Sequence, residues 1–417
     1  MMKTIFQKLN FLLLTCLIAH TGFGQKDTEF GYFLKGTSVT RIPFEMQSNL
    51  IIVPLKINDS DTLRFIFDTG VSTTIITDPS AIKNQKLKYT RVVKLTGAGE
   101  GQDLEARVAI SNTLKMGDMR ATYQNIVVLN EDILHLSEYV GVPIHGIFGY
   151  EVFNSFVVTI DFTERQIILM NPKKYKYRAS KGERYPISIE DTKPYAQMLA
   201  LLDNGKEQPI KVLIDTGAGH ALSLEQSKGQ QIRLPEKLIR AQLGRGLNGV
   251  INGSLGRVSQ IRFGKFIIND VIASYPDSVA FGLRLIGRPE RQGNIGCELL
   301  RRFKVTFNYP EKYIVLKPVK RRLKETFEHD MSGVELRAKS DNLRKYYIEN
   351  VVKDSPAWAA GLQEGDELLF INNTPAGEMS ISEIYKLLQK GEGKEVSVLI
   401  RRDGNIQFSK FFLKRMI

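Results

Sequence analysis

Two Asp-Thr-Gly triplets, Asp68-Thr69-Gly70 and Asp215-Thr216-Gly217, lie 147 residues apart in a chain of 417. Each closes a short apolar run, Phe65-Ile66-Phe67 in one case and Val212-Leu213-Ile214 in the other. A buried strand that ends on a carboxylate, followed by a Gly that lets the backbone turn, holds an acid rigidly in a cleft. Two such carboxylates brought together can share one proton and work as an acid and base pair.

The segments around the triplets repeat in register. The same offset carries Gly97 and Gly99 onto Gly244 and Gly246, Gly149 onto Gly296, Glu151 onto Glu298 and Phe156 onto Phe303. Whole phrases correspond, such as Leu114-Lys-Met-Gly117 with Ile261-Arg-Phe-Gly264, and Ile167-Ile168-Leu169 with Ile314-Val315-Leu316. One offset held over so long a span marks a duplicated unit, and two copies predict a pair of related lobes. In each unit an apolar run, Leu50–Ile57 or Tyr195–Leu202, passes through a polar turn at 58–61 or 203–206 into the run that ends on the carboxylate. That pattern predicts a hairpin, with a second hairpin per unit over Asp161–Ile168 and Asn308–Val315. Both units are expected to be mostly β.

Composition narrows the setting. Residues 1–24 read as a secretory signal peptide, with Lys3 and Lys8 before the apolar stretch Phe11–Ile18 and small residues before Gln25. No other stretch approaches membrane-helix length, so the mature chain is expected without a transmembrane segment and exported to the periplasm, cell surface or medium. Lipid attachment at Cys16 is the lesser alternative. Cys297 is then the one remaining thiol, and its apolar surroundings predict a small buried residue rather than a nucleophile. The net charge of +13 concentrates in Lys173–Arg184 and Lys317–Lys324, between repeat units, which predicts solvated linkers. No aromatic-studded basic module accompanies it, so nucleic-acid binding is not expected.

After residue 327 the pattern changes. Tyr346–Val352 reads as a strand, Ser355-Pro-Ala-Trp-Ala-Ala-Gly-Leu362 follows, and Ser380–Gln389 reads as a helix with Ile381, Ile384, Leu387 and Leu388 on one face. Val396–Arg401 and Ile406–Phe412 close the chain as a hairpin. Trp358, among alanines, is expected to pack.

The paired Asp-Thr-Gly, each followed by an apolar segment ending in Gly, Ile147-Phe148-Gly149 and Asn294-Ile295-Gly296, resembles the retropepsin-like and pepsin-like aspartic peptidases, with both lobes in one chain. The C-terminal Ser-Pro-Ala-x-x-Ala-Gly-Leu-x-x-Gly-Asp resembles a bacterial, circularly permuted PDZ domain. The resemblance implies a two-lobed acid-protease β-barrel fold plus a β-rich PDZ domain with one or two helices. It implies lobe 1 over 25–172, a basic interlobe linker over 173–184, lobe 2 over 185–318, a basic linker over 319–327 and the PDZ domain over 328–417.

By the same resemblance, Asp68 and Asp215 hold a water between the lobes and hydrolyse peptide bonds without metal or cofactor. Thr69 and Thr216 bond across the interface, Gly70 and Gly217 permit the turns, and Gly97, Gly99, Gly101, Gly244 and Gly246 belong to flaps over the cleft. The PDZ unit binds polypeptide substrates or protein C-termini by strand addition. Its end-binding loop lies near Met331–Leu336, with Gly333, Val334, Leu336, Ile384 and Leu388 around the groove. A monomer is expected. The alternative is an exported, non-catalytic peptide-binding protein on the same fold. Three features make the halves unequal: bulky Val71, Asn294 in place of an apolar residue, and His220, for which a structural role is the default reading. His135 and His145 lack the spacing of a metal site.

Overall fold

The computed structural model describes residues 31–202, 205, 207–225, 232–277 and 291–417. The leader, Cys16 and the second-lobe turn apart from Gly205 lie outside the described residues. In the first lobe Leu50–Ile57 pairs antiparallel with Leu63–Asp68, Val53 opposite Phe65. The Asp68 strand then runs parallel to Gly146–Gly149, with Gly149 opposite Asp68. A strand held between others and covered on both faces reads as an unbroken apolar run, so Phe65, Ile66 and Phe67 are all buried. The second lobe repeats the arrangement: Glu207–Ile214 runs parallel to Gly293–Ile295, and Leu222–Leu224 flanks the latter.

A six-stranded sheet joins the lobes. Val157–Asp161 and Phe303–Asn308 pair antiparallel at its centre, Thr159 opposite Thr306. Their hydroxyls lie 2.8 Å apart, and because they are equivalent positions of the repeat, a local two-fold axis passes between them. One continuous apolar core spans both lobes. Phe153 stacks on Phe67 at 4.7 Å and meets Phe307 edge-on at 5.1 Å, so the floor beneath Asp68 is built from both lobes. Aromatic contacts of this kind add to the area they bury.

Most basic side chains of the two stretches are exposed, Lys173, Arg178, Lys317 and Lys324 among them, while the residues between and after them dock on the lobes. Tyr175 is buried against Tyr313 and Val315, and Glu183–Pro186 joins the central sheet beside Tyr313–Pro318. Lys320–Leu323 forms a helical turn, and Phe327 inserts into the main core beneath the Arg302 guanidinium, 3.6 Å from its ring centre. Arg302 is fully buried and donates to the carbonyls of Arg322 and Glu325 at 2.6 and 2.7 Å. Long basic side chains can bury their stems and spend their charge on backbone acceptors, which a count of charges does not show.

The C-terminal unit has its own core and its own sheet. Val334–Lys339 is the terminal strand of that sheet. The helix Ile381–Leu388 is capped by Ser380 and Glu383 in a reciprocal box. Trp358 differs from expectation: the short helix Pro356–Ala359 turns Ala357 inward and leaves Trp358 exposed. Because Phe327 is held by the core of the two lobes, Phe327→Ala is expected to cost about 3–5 kcal/mol in urea unfolding of the full chain, whereas a free linker would show no change.

Candidate active site

The two triplets meet on the local two-fold axis. Thr69 and Thr216 are fully buried. The Thr216 hydroxyl accepts from Thr69 N at 3.0 Å and donates to Phe67 O at 2.8 Å. The Thr69 hydroxyl accepts from Thr216 N at 3.0 Å and donates to Ile214 O at 2.6 Å. Each Thr therefore satisfies two backbone groups of the other lobe, and both turns are locked together by buried hydrogen bonds.

This lock brings Asp68 and Asp215 side by side, half-buried: a Cβ built on Gly70 would lie 3.1 Å from Asp68 Oδ1 and 3.2 Å from Asp215 Oδ1. Asp68 accepts from Gly70 N at 2.5 Å and Asp215 from Gly217 N at 3.0 Å. A Cβ on Gly217 would collide with the Asp68 carboxyl, so that position has room for Gly alone. Burial pushes the Asp68 carboxyl well above the usual range, and the neighbouring Asp215 charge pushes it further. Such a pair holds one proton over a wide pH range, and its titration belongs to both groups.

The departures flagged in the second lobe converge here. Asn294 Nδ2 donates to Asp215 Oδ2 at 3.1 Å, and His220 Nε2 lies 2.9 Å from Asn294 Oδ1. Burial lowers the His220 imidazole. Cys297 is fully buried, directs Sγ to Thr216 O at 3.3 Å and is pushed well above the usual thiol range by burial, so it has no nucleophile's environment. Val71 packs in a small apolar cluster with Ile75, Ala106 and Leu129. His145 Nδ1 accepts from Arg64 N at 2.9 Å and His135 faces Glu138 at 3.2 Å. Among the described residues no group of His, Cys, Asp and Glu has the arrangement to hold a metal.

The flap glycines lie at two tips that touch each other. Gly97, Gly99 and Gly101 occupy the turn between Lys88–Leu95 and Leu104–Met116, while Gly244 and Gly246 end the strand Ile239–Gly246. Between the tips sits buried Asn248, which sequence reasoning missed. Its N–H donates to Ala98 O at 2.8 Å, its carbonyl accepts from Gly101 N at 2.6 Å, and its side chain bonds Gly97 N and Gln102 O. A Cβ on Gly246 would strike Ala98 O, so Gly is what lets the tips close.

The PDZ groove is walled off in this structure. Val334, Leu336, Ile384 and Leu388 are buried and face the domain's core. The loop amides expected to receive a peptide carboxylate already have one: Asp330 accepts from the backbone N–H of Ser332 and Gly333 and from the Ser332 hydroxyl. The Leu336 N–H, on the edge where a peptide strand would add, donates to the Tyr385 hydroxyl at 2.7 Å. The first-lobe helix Leu136–Val140 packs against this strand, with Glu138 paired to Arg337. Tyr139 donates to Glu349 at 2.8 Å and accepts from Arg245 of the second flap at 2.6 Å. Gln242 N, in the same flap strand, donates to Glu335 at 3.2 Å.

Comparison with known proteins agrees with this anatomy. The aspartyl protease family model matches residues 53–152 and again 201–299, and the PDZ domain model matches residues 347–402. Among solved structures, the photosystem II D1 C-terminal processing protease is 20% identical over 20% of this chain and 22% of its own, with a TM-score of 0.19. The match thus spans about a fifth of that protein's length and carries no argument about this chain. No curated protein matches the sequence. The chain is a duplicated aspartyl-protease fold, one copy in each lobe, followed by a C-terminal PDZ domain.

Proposed function

We propose that the protein is an exported endopeptidase in which Asp68 and Asp215 activate a water against a peptide bond. The observation that carries this reading is the pair of carboxyls joined on the two-fold axis by the crossed Thr69 and Thr216 hydrogen bonds. The ionised carboxyl takes a proton from the water as its oxygen attacks the amide carbon. The protonated carboxyl gives its proton to the carbonyl oxygen, leaving a tetrahedral diol whose collapse releases the amine. The flaps held at Asn248 would have to part for an extended chain to enter, and their closing over it excludes water.

The leader of residues 1–24 supports export. Recovery of the chain outside the cytoplasm, beginning at residue 25, is the expected result; retention inside with an intact leader would refute it.

The PDZ domain gates the cleft in this reading. A polypeptide adding to the Val334–Lys339 edge must displace Tyr385 from Leu336 N–H and separate Arg337 from Glu138. Those changes loosen the ties from Gln242 and Arg245, so an occupied PDZ domain frees the second flap. A free C-terminus must also displace the Asp330 carboxylate from the loop.

Purified mature chain incubated with unfolded protein from acid to neutral pH should release peptides. Asp68→Asn and Asp215→Asn should each lower the rate about 100-fold or more, and a wild-type chain that binds unfolded protein without cutting it would contradict the reading. Stability should move the opposite way. The Asp68 carboxyl is raised in the fold, so its contribution is intact at acid pH and is lost as pH rises through the folded value. Asp68→Asn should therefore raise Tm at pH 7, with the gain shrinking toward pH 3; an equal gain at both would show that the charge is not the cause. For the gate, Tyr139→Phe removes the hydroxyl joining Arg245 to Glu349 and should raise the basal cleavage rate severalfold, while an unchanged rate would show that the contact does not restrain the flap.

A further inference from the structure

The dyad sits on a two-fold axis, yet its two carboxyls have different neighbours. Asp215 receives a hydrogen bond from Gly217 N and a second from the Asn294 amide. The position equivalent to Asn294 in the first lobe is Ile147, whose side chain carries no donor, and the position equivalent to His220 is Thr73. A carboxylate is an acceptor, so Asn294 must point its amino group at Asp215 and its carbonyl at His220. His220 must then carry its proton on Nε2.

We infer that Asn294, held by His220, makes the dyad asymmetric: it fixes Asp215 as the carboxylate that takes the proton from water and leaves Asp68 as the acid that protonates the substrate carbonyl. His220 is a positioning residue, acting on the reaction through Asn294. The inference rests on the peptidase reading above.

The charge assignment follows from counting donors. A hydrogen bond from Asn294 favours the charged form of Asp215 over its neutral form, so it eases loss of the first proton from the pair. The second proton leaves Asp68, and the Asn294 bond is present before and after that step. Removing Asn294 should therefore shift the acid side of the pH profile and leave the alkaline side in place. The other ionisable groups facing the pair do not reverse this. Cys297 and Tyr309 are pushed up by burial and stay neutral from acid to neutral pH. Lys193 acts on Asp68 by its positive charge, which is constant over that range. His220 donates through Nε2 in its neutral form and would also do so if protonated.

The test is the pH dependence of kcat/KM for the full chain and the variants Asn294→Leu, His220→Leu, His220→Gln and the double Leu variant. Charge-assisted hydrogen bonds of this type correspond to about one to two pH units. Asn294→Leu should move the acid limb up by about that much, with the alkaline limb in place. His220→Leu should move it the same way by less, and His220→Gln, which keeps a donor near Nε2, should restore it. The double variant should move it no further than Asn294→Leu alone, because His220 acts through Asn294. Residues with merely structural roles would lower Tm and leave the limb where it is. The carboxyl titration of Asp215, followed by carbon-13 NMR in the same variants, gives a readout without turnover. If the wild type cuts nothing, the peptidase reading fails and the catalytic roles fall with it, while the NMR titration still decides whether Asn294 makes the pair asymmetric. An Asp215 titration and an acid limb unmoved in Asn294→Leu would overturn it, as would a double variant shifted by the sum of its parts.

Discussion

Everything at the centre of this molecule depends on the crossed hydrogen bonds of Thr69 and Thr216. Two like charges repel, so a fold that sets two carboxyls side by side needs an opposing constraint. Here each Thr hydroxyl ties down an N–H and a carbonyl of the opposite lobe, out of reach of water. In a dry setting such bonds are costly to leave unmade, so the two turns have one shared low-energy arrangement. The six-stranded sheet and the aromatic stack under Phe67 extend the same lock over both lobes.

Duplication explains the symmetry of this site, and divergence of the copies explains its polarity. A pair of identical lobes would offer its substrate two equivalent carboxyls. The single chain lets one copy carry Ile147 while the other carries Asn294 and His220, so the environments of the two acids can differ without disturbing the lock. The same freedom shows in the flaps, where Asn248 of the second lobe serves the tip of the first. It also shows in the PDZ contact, which engages the helix at Leu136–Val140 and the flap strand at Gln242, while Arg245 of that strand bonds Tyr139 of the helix.

Much of this was legible in the sequence because a duplication writes its own register. The constant offset predicted the paired lobes and the equivalence of Asp68 with Asp215, and Thr159 facing Thr306 follows from that same offset. Alternation and turn residues predicted the hairpins, and the run Ser380–Gln389 predicted the helix Ile381–Leu388 to within a residue at each end. What stayed hidden were contacts between distant residues. Asn294 and His220 were noticed as oddities 74 positions apart, with nothing local to say that they touch. Asp330 plugging its own loop, Asn248 joining the flaps and Phe327 entering the core each depend on a tertiary neighbour. Arg302, outside the two basic stretches, was hidden for a related reason: charge predicts solvent contact on average, while Arg302 meets its needs with backbone carbonyls.

The central claim is that the two lobes together hold one catalytic proton. The pH dependence of kcat/KM for peptide cleavage by the wild-type chain tests it most directly. The account predicts a bell, rising as the pair loses its first proton and falling as it loses its second. A single rising limb, with full activity when both carboxyls are ionised, would contradict it.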